Sequence, residues 1–177
     1  GSGGVDDIDA GAGNDTVTVT ALTTDDSIVG GDGTDTLAIS LAIAYDDEAV
    51  PVAIDDAINI SGFEILRNTA AITQDMAAFT GIVAAQSTAG VLTATEAGIA
   101  DYFALASSTG LDMKLATDGT ADNLNIHMGS AVAQTNATSV TIDAIEIETA
   151  LIASTGANGN IITDFEADAL AALTITG

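Results

Sequence analysis

The feature that most constrains this chain is a nine-residue period near its start. Set in blocks of nine, residues 1–9 read GSGGVDDID, 10–18 read AGAGNDTVT and 30–38 read GGDGTDTLA. Each has glycine at the fourth place, aspartate at the sixth and an aliphatic residue at the eighth. A further block, ALTTDDSIV at 21–29, keeps the aspartate and the isoleucine but has lost the glycines. The aspartates in phase are Asp6, Asp15, Asp26 and Asp35, and their apolar partners are Ile8, Val17, Ile28 and Leu37. Glycines permit positive φ and bring carbonyls together in a tight turn. A three-residue strand then sends one apolar side chain inward. A period of this kind belongs to stacked, quasi-one-dimensional architectures rather than to a globular core.

The pattern resembles the G-G-x-G-x-D-x-U-x repeat of RTX-type β-roll proteins over about the first fifth of the chain. That resemblance implies that two units make one coil of a right-handed parallel roll. Alternate units then stack, so Asp6 is expected near Asp26 and Asp15 near Asp35, each 20 residues apart with Val19 and Thr20 as the insertion. Stacked turns lie about 4.8 Å apart. Carboxylates at that spacing repel unless a cation lies between them. Calcium suits such a site because it takes about 6–8 oxygens from carboxylates and carbonyls. The edge that keeps Gly11, Gly13, Gly31 and Gly33 is the expected calcium site, with Asp15 and Asp35 as carboxylate ligands and Asp32 as an outer ligand. The opposite edge, Gly4 and Asp6 against the glycine-poor loop from Thr23 to Asp26, is expected to bind weakly or not at all. Asp118 and Asp122, around Gly119, form a degenerate calcium turn. The competing reading of all these positions is a set of solvated β-turns. A phosphate cradle would need a lysine after the glycines, and none is present.

A looser repetition follows. GTDTLAIS (33–40) resembles GTADNLNI (119–126) with one added residue, and INISGFEIL (58–66) shares a frame with VTIDAIEIE (140–148). In that frame Glu64 corresponds to Glu146 and Phe63 to Ile145, and both glutamates are expected to point outward between inward residues. The phrases NISGFEIL and ADALAALTITG look like rungs of bacterial RTX-type surface-layer proteins. Alternation places Leu124, Ile126 and Met128 on one face of a strand and Asn123, Asn125 and His127 on the other. The parity of Val140 and Ile142 is opposite to that of Ile145 and Ile147, which predicts a bend or bulge near Asp143–Ala144. Residues 93–108 are the best helical candidate, with Thr95 as N-cap and Ile99, Phe103 and Ala106 at helical spacing. The acidic stretch 45–56, with Pro51, reads as a surface loop.

Composition narrows the function. There are 26 acidic residues against 2 basic ones, Arg67 and Lys114, for a net charge of −24, which excludes nucleic-acid binding. Hydrophobic content of 47% argues against disorder. No apolar run has membrane-spanning length. Cysteine is absent, so neither disulfides nor thiol chemistry are available. The paired acids Asp25–Asp26, Asp46–Asp47–Glu48 and Asp55–Asp56 lack the aromatic floor of a glycosidase. His127, the one histidine, offers too little for a zinc site and is expected to be an exposed, uninvolved imidazole. No enzyme signature is present.

The expected fold is all-β: a right-handed parallel β-roll over 1–40, continuing as an irregular β-solenoid over 41–177, with one short helix. The chain opens in mid-pattern and reads as a piece of a longer polypeptide. The resemblance implies a structural segment of a secreted, calcium-dependent surface-layer or cell-surface protein. It would be exported by a type I pathway, folded outside by calcium and self-associated into a lattice or filament. A stalk of an RTX adhesin, or the non-catalytic portion of a secreted RTX enzyme, are the alternatives.

Overall fold

The structure is a computed structural model, and it describes residues 5–22, 25–43, 59–106, 109–129, 136–155 and 159–177. The acidic stretch 45–56 and Gly4 lie outside the described residues. The first strands are short: β1 (Asp7–Asp9), β2 (Thr16–Val19), β3 (Ser27–Val29), β4 (Thr36–Ile39) and β5 (Asn59–Ser61). Next come β6 (Ile65–Asn68), β7 (Ile72–Asp75), β8 (Ala84–Ser87), β9 (Gly90–Ala97) and β10 (Asp101–Ala104). The last are β11 (Thr109–Leu115), β12 (Asn123–Met128), β13 (Val140–Asp143), β14 (Thr149–Ser154), β15 (Ile162–Glu166) and β16 (Ala172–Thr176).

Every strand pairing is parallel. The even-numbered strands, β2 to β16, stack in order into one eight-stranded sheet. The odd-numbered strands form a three-stranded sheet, β1-β3-β5, and a five-stranded sheet, β7-β9-β11-β13-β15. The chain therefore alternates between two walls and is a parallel β-solenoid.

In-register stacking aligns inward side chains into columns. One runs Val17, Leu37, Leu66, Ala85, Tyr102, Ile126, Ile152 and Ile175 up the eight-stranded wall. Its members from Leu37 to Ile126 are fully buried, while Ile175 on the last strand is 68% exposed. The facing column, Ile72, Leu92, Leu111, Ile142 and Phe165, closes the core from the other wall. Small and β-branched residues suffice because each strand meets an identical backbone one rung away. Truncating a central member such as Leu66 to Ala costs about 2–5 kcal/mol.

Polar residues enter these columns as satisfied amides and hydroxyls. Asn68 is buried and donates from Nδ2 to the carbonyls of Ala70 and Ala89 at 2.8 and 2.9 Å, while Ser87 Oγ donates to its Oδ1 at 2.5 Å. Gln74, buried on β7, accepts from the Ile43 N–H at 2.8 Å and donates to the Ile43 carbonyl at 2.7 Å. Its amide thus takes the part of a strand neighbour where the three-stranded sheet has ended.

The helix expected over 93–108 is not formed: these residues build most of β9 and all of β10, and 107–108 lie outside the described residues. The helical spacing of Ile99, Phe103 and Ala106 misled because Tyr102 and Ala104, not Phe103, face the core. Thr93 and Thr95 favour extended backbone; Glu96, with φ of 50°, falls within β9 where its register against β11 shifts, and the strands are separated by residues 98–100. The helical structure among the described residues is a single 3-10 turn, Met76–Ala78. The bulge expected near Asp143–Ala144 is a corner: β13 ends at Asp143, the Ile147 N–H closes on the Ala144 carbonyl, and the chain crosses to the other wall. Ile145 is consequently exposed and Ile147 buried.

Candidate metal centre

The two glycine-rich turns of the first rungs lie directly on one another. Ala12 and Asp32 bridge in parallel, with the Gly13 N–H donating to the Asp32 carbonyl and the Asp32 N–H to the Gly11 carbonyl, both at 2.9 Å. Thr34 N–H donates to Asn14 Oδ1 at 3.1 Å. The approach demands glycine: a Cβ on Gly31 would overlap the Gly11 carbonyl and one on Gly33 the Gly13 carbonyl, and φ is 108° and 151° at the two. Asp32 is exposed at the tip.

The strand entries beside these turns are closed by carboxylates. Asp15 N–H donates to Asp35 Oδ1 at 2.7 Å, and Asp6 N–H donates to Asp26 Oδ1 at 2.8 Å. The two 20-residue pairs expected from the repeat are thus brought together. Asp35 has no exposed surface, and its second oxygen, Oδ2, is buried without a hydrogen-bond partner. Asp15 is half-buried, with Oδ2 3.7 Å from the position of a Cβ on Gly13, so its carboxylate folds back over the turn. Asp26 is also buried, against a loop whose Thr23 lies outside the described residues. A buried carboxylate oxygen with no donor costs several kcal/mol unless it meets a positive charge. The set of Asp15, Asp35 and close-packed turn carbonyls therefore fits a hard, oxygen-seeking cation.

The second acidic constellation combines Asp118, Asp122 and Glu148, which can each place a carboxylate oxygen within 4.8 Å of the others. Asp122 Oδ2 accepts from the Gly119 N–H at 2.6 Å, and Glu148 Oε2 accepts from the Asp122 N–H at 2.8 Å. A cavity of about 300 Å3 lies alongside, lined by Ala97, Ile99, Leu115, Asp122 and Ile147 among others. Glu148 is the member that spacing alone did not single out.

One rule covers these acids. The residue just before a strand is acidic at Asp6, Asp15, Asp26, Asp35, Glu64, Asp122 and Glu148. Four of them reach back one rung to cap the N–H of the acid before them: Asp26 to Asp6, Asp35 to Asp15, Glu64 to Asp35 at 2.8 Å, and Glu148 to Asp122. Glu146 caps Leu115 in the same manner at 2.7 Å. Glu64 and Glu146 are therefore not merely outward-pointing. The second repeat also needs re-framing by two residues: Glu64 and Glu148, not Glu146, are the equivalent pair. Glu64 N–H meets the Asp35 carbonyl and Glu148 N–H the Asp122 carbonyl, both at 3.2 Å. Phe63 and Ile147, the residues before them, are both buried.

His127 is likewise engaged rather than idle. Its ring stacks on Phe103 at 4.4 Å and 11°, and Nε2 lies 2.9 Å from Asp101 Oδ1, linking neighbouring strands β10 and β12. On the five-stranded wall Asp112, Asp143 and Glu166 stand in one column. Burial pushes the Asp143 carboxyl above its ordinary value, and the negative charges of Asp112, Asp164 and Asp168 push the same way. Among the described residues no helix is long and apolar enough to cross a membrane. No family model, curated protein or solved structure matches the chain.

Proposed function

We propose that this chain is a calcium-stapled structural segment of a secreted cell-surface protein of the surface-layer kind, with no catalytic role. The observation that carries the proposal is the stacked pair of glycine turns closing on Asp35, a fully buried carboxylate with one oxygen unpartnered. Asp15 and Asp35 would hold the ion, with carbonyls of the turns around Gly11, Gly13, Gly31 and Gly33 completing its oxygen shell and Asp32 at the rim. Calcium supplies positive charge there. The chain's residues do the rest: glycines allow the turns to touch, Asp35 ties the Asp15 N–H to the next rung, and the apolar column behind excludes water. Binding to a site that only the folded rungs create is folding free energy. The remaining negative charge, from a total of −24, keeps the solenoid soluble and lets the same ion bridge neighbouring copies in a lattice or filament.

Calcium titration followed by calorimetry and circular dichroism tests this reading. Binding in the micromolar-to-millimolar range with a gain of β signal is expected. A double variant, Asp15→Ala with Asp35→Ala, should lose that response; the same calcium midpoint as the parent chain would show that these two residues are not ligands.

A further inference from the structure

We infer that calcium controls only the first four strands, β1 to β4, and that the solenoid from β6 onward keeps its fold without the ion. The inference rests on the calcium reading above and concerns where along the chain that ion acts.

Buried charge is confined to one end. Among the described residues the buried acidic side chains are Asp26 and Asp35, at the entries of β3 and β4. Beyond residue 59 the buried polar side chains are Asn68, Gln74, Ser87 and Thr109, all uncharged. Asn68 bonds the Ala70 carbonyl and Ser87, Gln74 holds both polar atoms of the Ile43 backbone, and Thr109 Oγ1 donates to the Ala106 carbonyl at 3.1 Å. The Tyr102 hydroxyl and Asn136 Oδ1 are buried without a hydrogen-bond partner, but both groups are neutral. Neutral groups do not need an ion.

The capping carboxylates follow the same division. Glu64, Glu146 and Glu148 perform the N–H capping that Asp26 and Asp35 perform in the first rungs, yet they are half-exposed. Water screens their charge, whereas Asp26 and Asp35 are sealed from it. The longer glutamate side chain makes this possible, because it spans to the next rung while keeping part of its carboxylate at the surface.

Strand length adds to the contrast. β1 to β4 have three or four residues each; β6, β7, β8, β10 and β13 also have four, but beside them stand β9 of eight, β11 of seven and β12 and β14 of six. In a solenoid, stability is close to a sum of rung and nearest-neighbour terms, so one end can open while the rest stays closed. Short strands around buried like charges make the first rungs the end that opens. Removing calcium would therefore unzip β1 to β4 from the face of β6 rather than unfold the molecule.

Hydrogen exchange of the whole chain, in calcium and in a chelator, tests the division. Peptides spanning 5–43 should exchange about tenfold or more faster in chelator, while peptides spanning 84–128 should stay within about twofold. If 84–128 loses protection together with 5–43 at one calcium midpoint, the division is wrong and the calcium reading stands. If neither segment responds to calcium, the calcium reading itself fails and the inference goes with it. A second arm uses Asp35→Asn in chelator, which should slow exchange in 5–43 and leave 84–128 unchanged; an equal change in both segments would also overturn the division.

Discussion

Asp35→Asn separates the two roles that Asp35 combines, hydrogen-bond acceptor and charge. Asparagine has the same shape and keeps an oxygen for the Asp15 N–H, which Asp35 holds at 2.7 Å. Without calcium the substitution removes a buried negative charge with one oxygen unpartnered. A buried group left unsatisfied costs about 1–3 kcal/mol, and more when it is charged. Against this, a charge-assisted hydrogen bond becomes a neutral one, a loss of about 1 kcal/mol. The balance favours the variant by about 1–2 kcal/mol in chelator, which is roughly five- to thirtyfold slower amide exchange in β2 and β4. With calcium at about a hundred times its dissociation constant, the parent chain gains about 2.7 kcal/mol that the variant largely forgoes. The order of stability should therefore invert: variant above parent in chelator, parent above variant in calcium. The assay is hydrogen exchange of the Thr16–Val19 and Thr36–Ile39 amides in both conditions. A variant weaker than the parent by the same amount in both would refute the reasoning, because Asp35 would then be a cap and nothing more.

Three further outcomes follow from the geometry. Gly33→Ala places a methyl group into the Gly13 carbonyl at a φ of 151°, and should destabilise the first rungs by about 2–3 kcal/mol or more, read as loss of exchange protection in β2 and β4 at any calcium concentration. Tyr102→Phe should leave stability unchanged or raise it by up to about 1 kcal/mol in thermal unfolding; burial pushes the phenol well above its ordinary pKa, and its oxygen, beside Ser87 and Thr109, meets no partner at hydrogen-bond geometry. Asp143→Asn should stabilise the chain at neutral pH by about 0.5 kcal/mol, since the site is largely solvent-screened. The sign follows from the raised pKa of Asp143: its folded form holds the proton more tightly than the unfolded chain. The wild-type contribution is thus fully present below the ordinary carboxyl value and is lost as pH rises through the raised one. The gap between variant and parent, measured by thermal melts across this range, should close on acidification; a gap independent of pH would refute it.

The first rungs were legible because the nonapeptide fixes three things at once: a glycine turn, an acid and an inward aliphatic residue. That is why the pairs Asp6–Asp26 and Asp15–Asp35 could be placed once the repeat's resemblance to a two-unit coil was taken with its spacing. Beyond residue 40 the rungs vary in length, on the eight-stranded wall from 17 residues between Ala85 and Tyr102 to 26 between Ile126 and Ile152, so no fixed period carries the register. Local patterns then compete with it. The spacing of Ile99, Phe103 and Ala106 imitates a helix because a corner between β9 and β10 interrupts the alternation. Ile145 and Glu146 look like strand residues because the corner after β13 has no glycine or proline to mark it.

What recurs across this variation, at β1 to β4, β6, β12 and β14, is chemical rather than periodic: an acid immediately before a strand. At Asp6, Asp15, Asp35 and Asp122 the N–H at the strand entry is capped by a carboxylate reaching back one rung, whereas at Val83, Ala100 and Ala171 a carbonyl of the preceding rung accepts it. Asp26 and Asp35 reach back in this way and are buried, Asp26 within a loop that holds no glycine. Glu64 does so although its turn packs tightly, with the Gly62 carbonyl where a Cβ on Gly30 would lie, and it stays half-exposed, as does Glu148. The two acids at Asp26, Asp35, Glu64 and Glu148 therefore make the same cap and differ in burial: the aspartates are sealed from water and the glutamates are not.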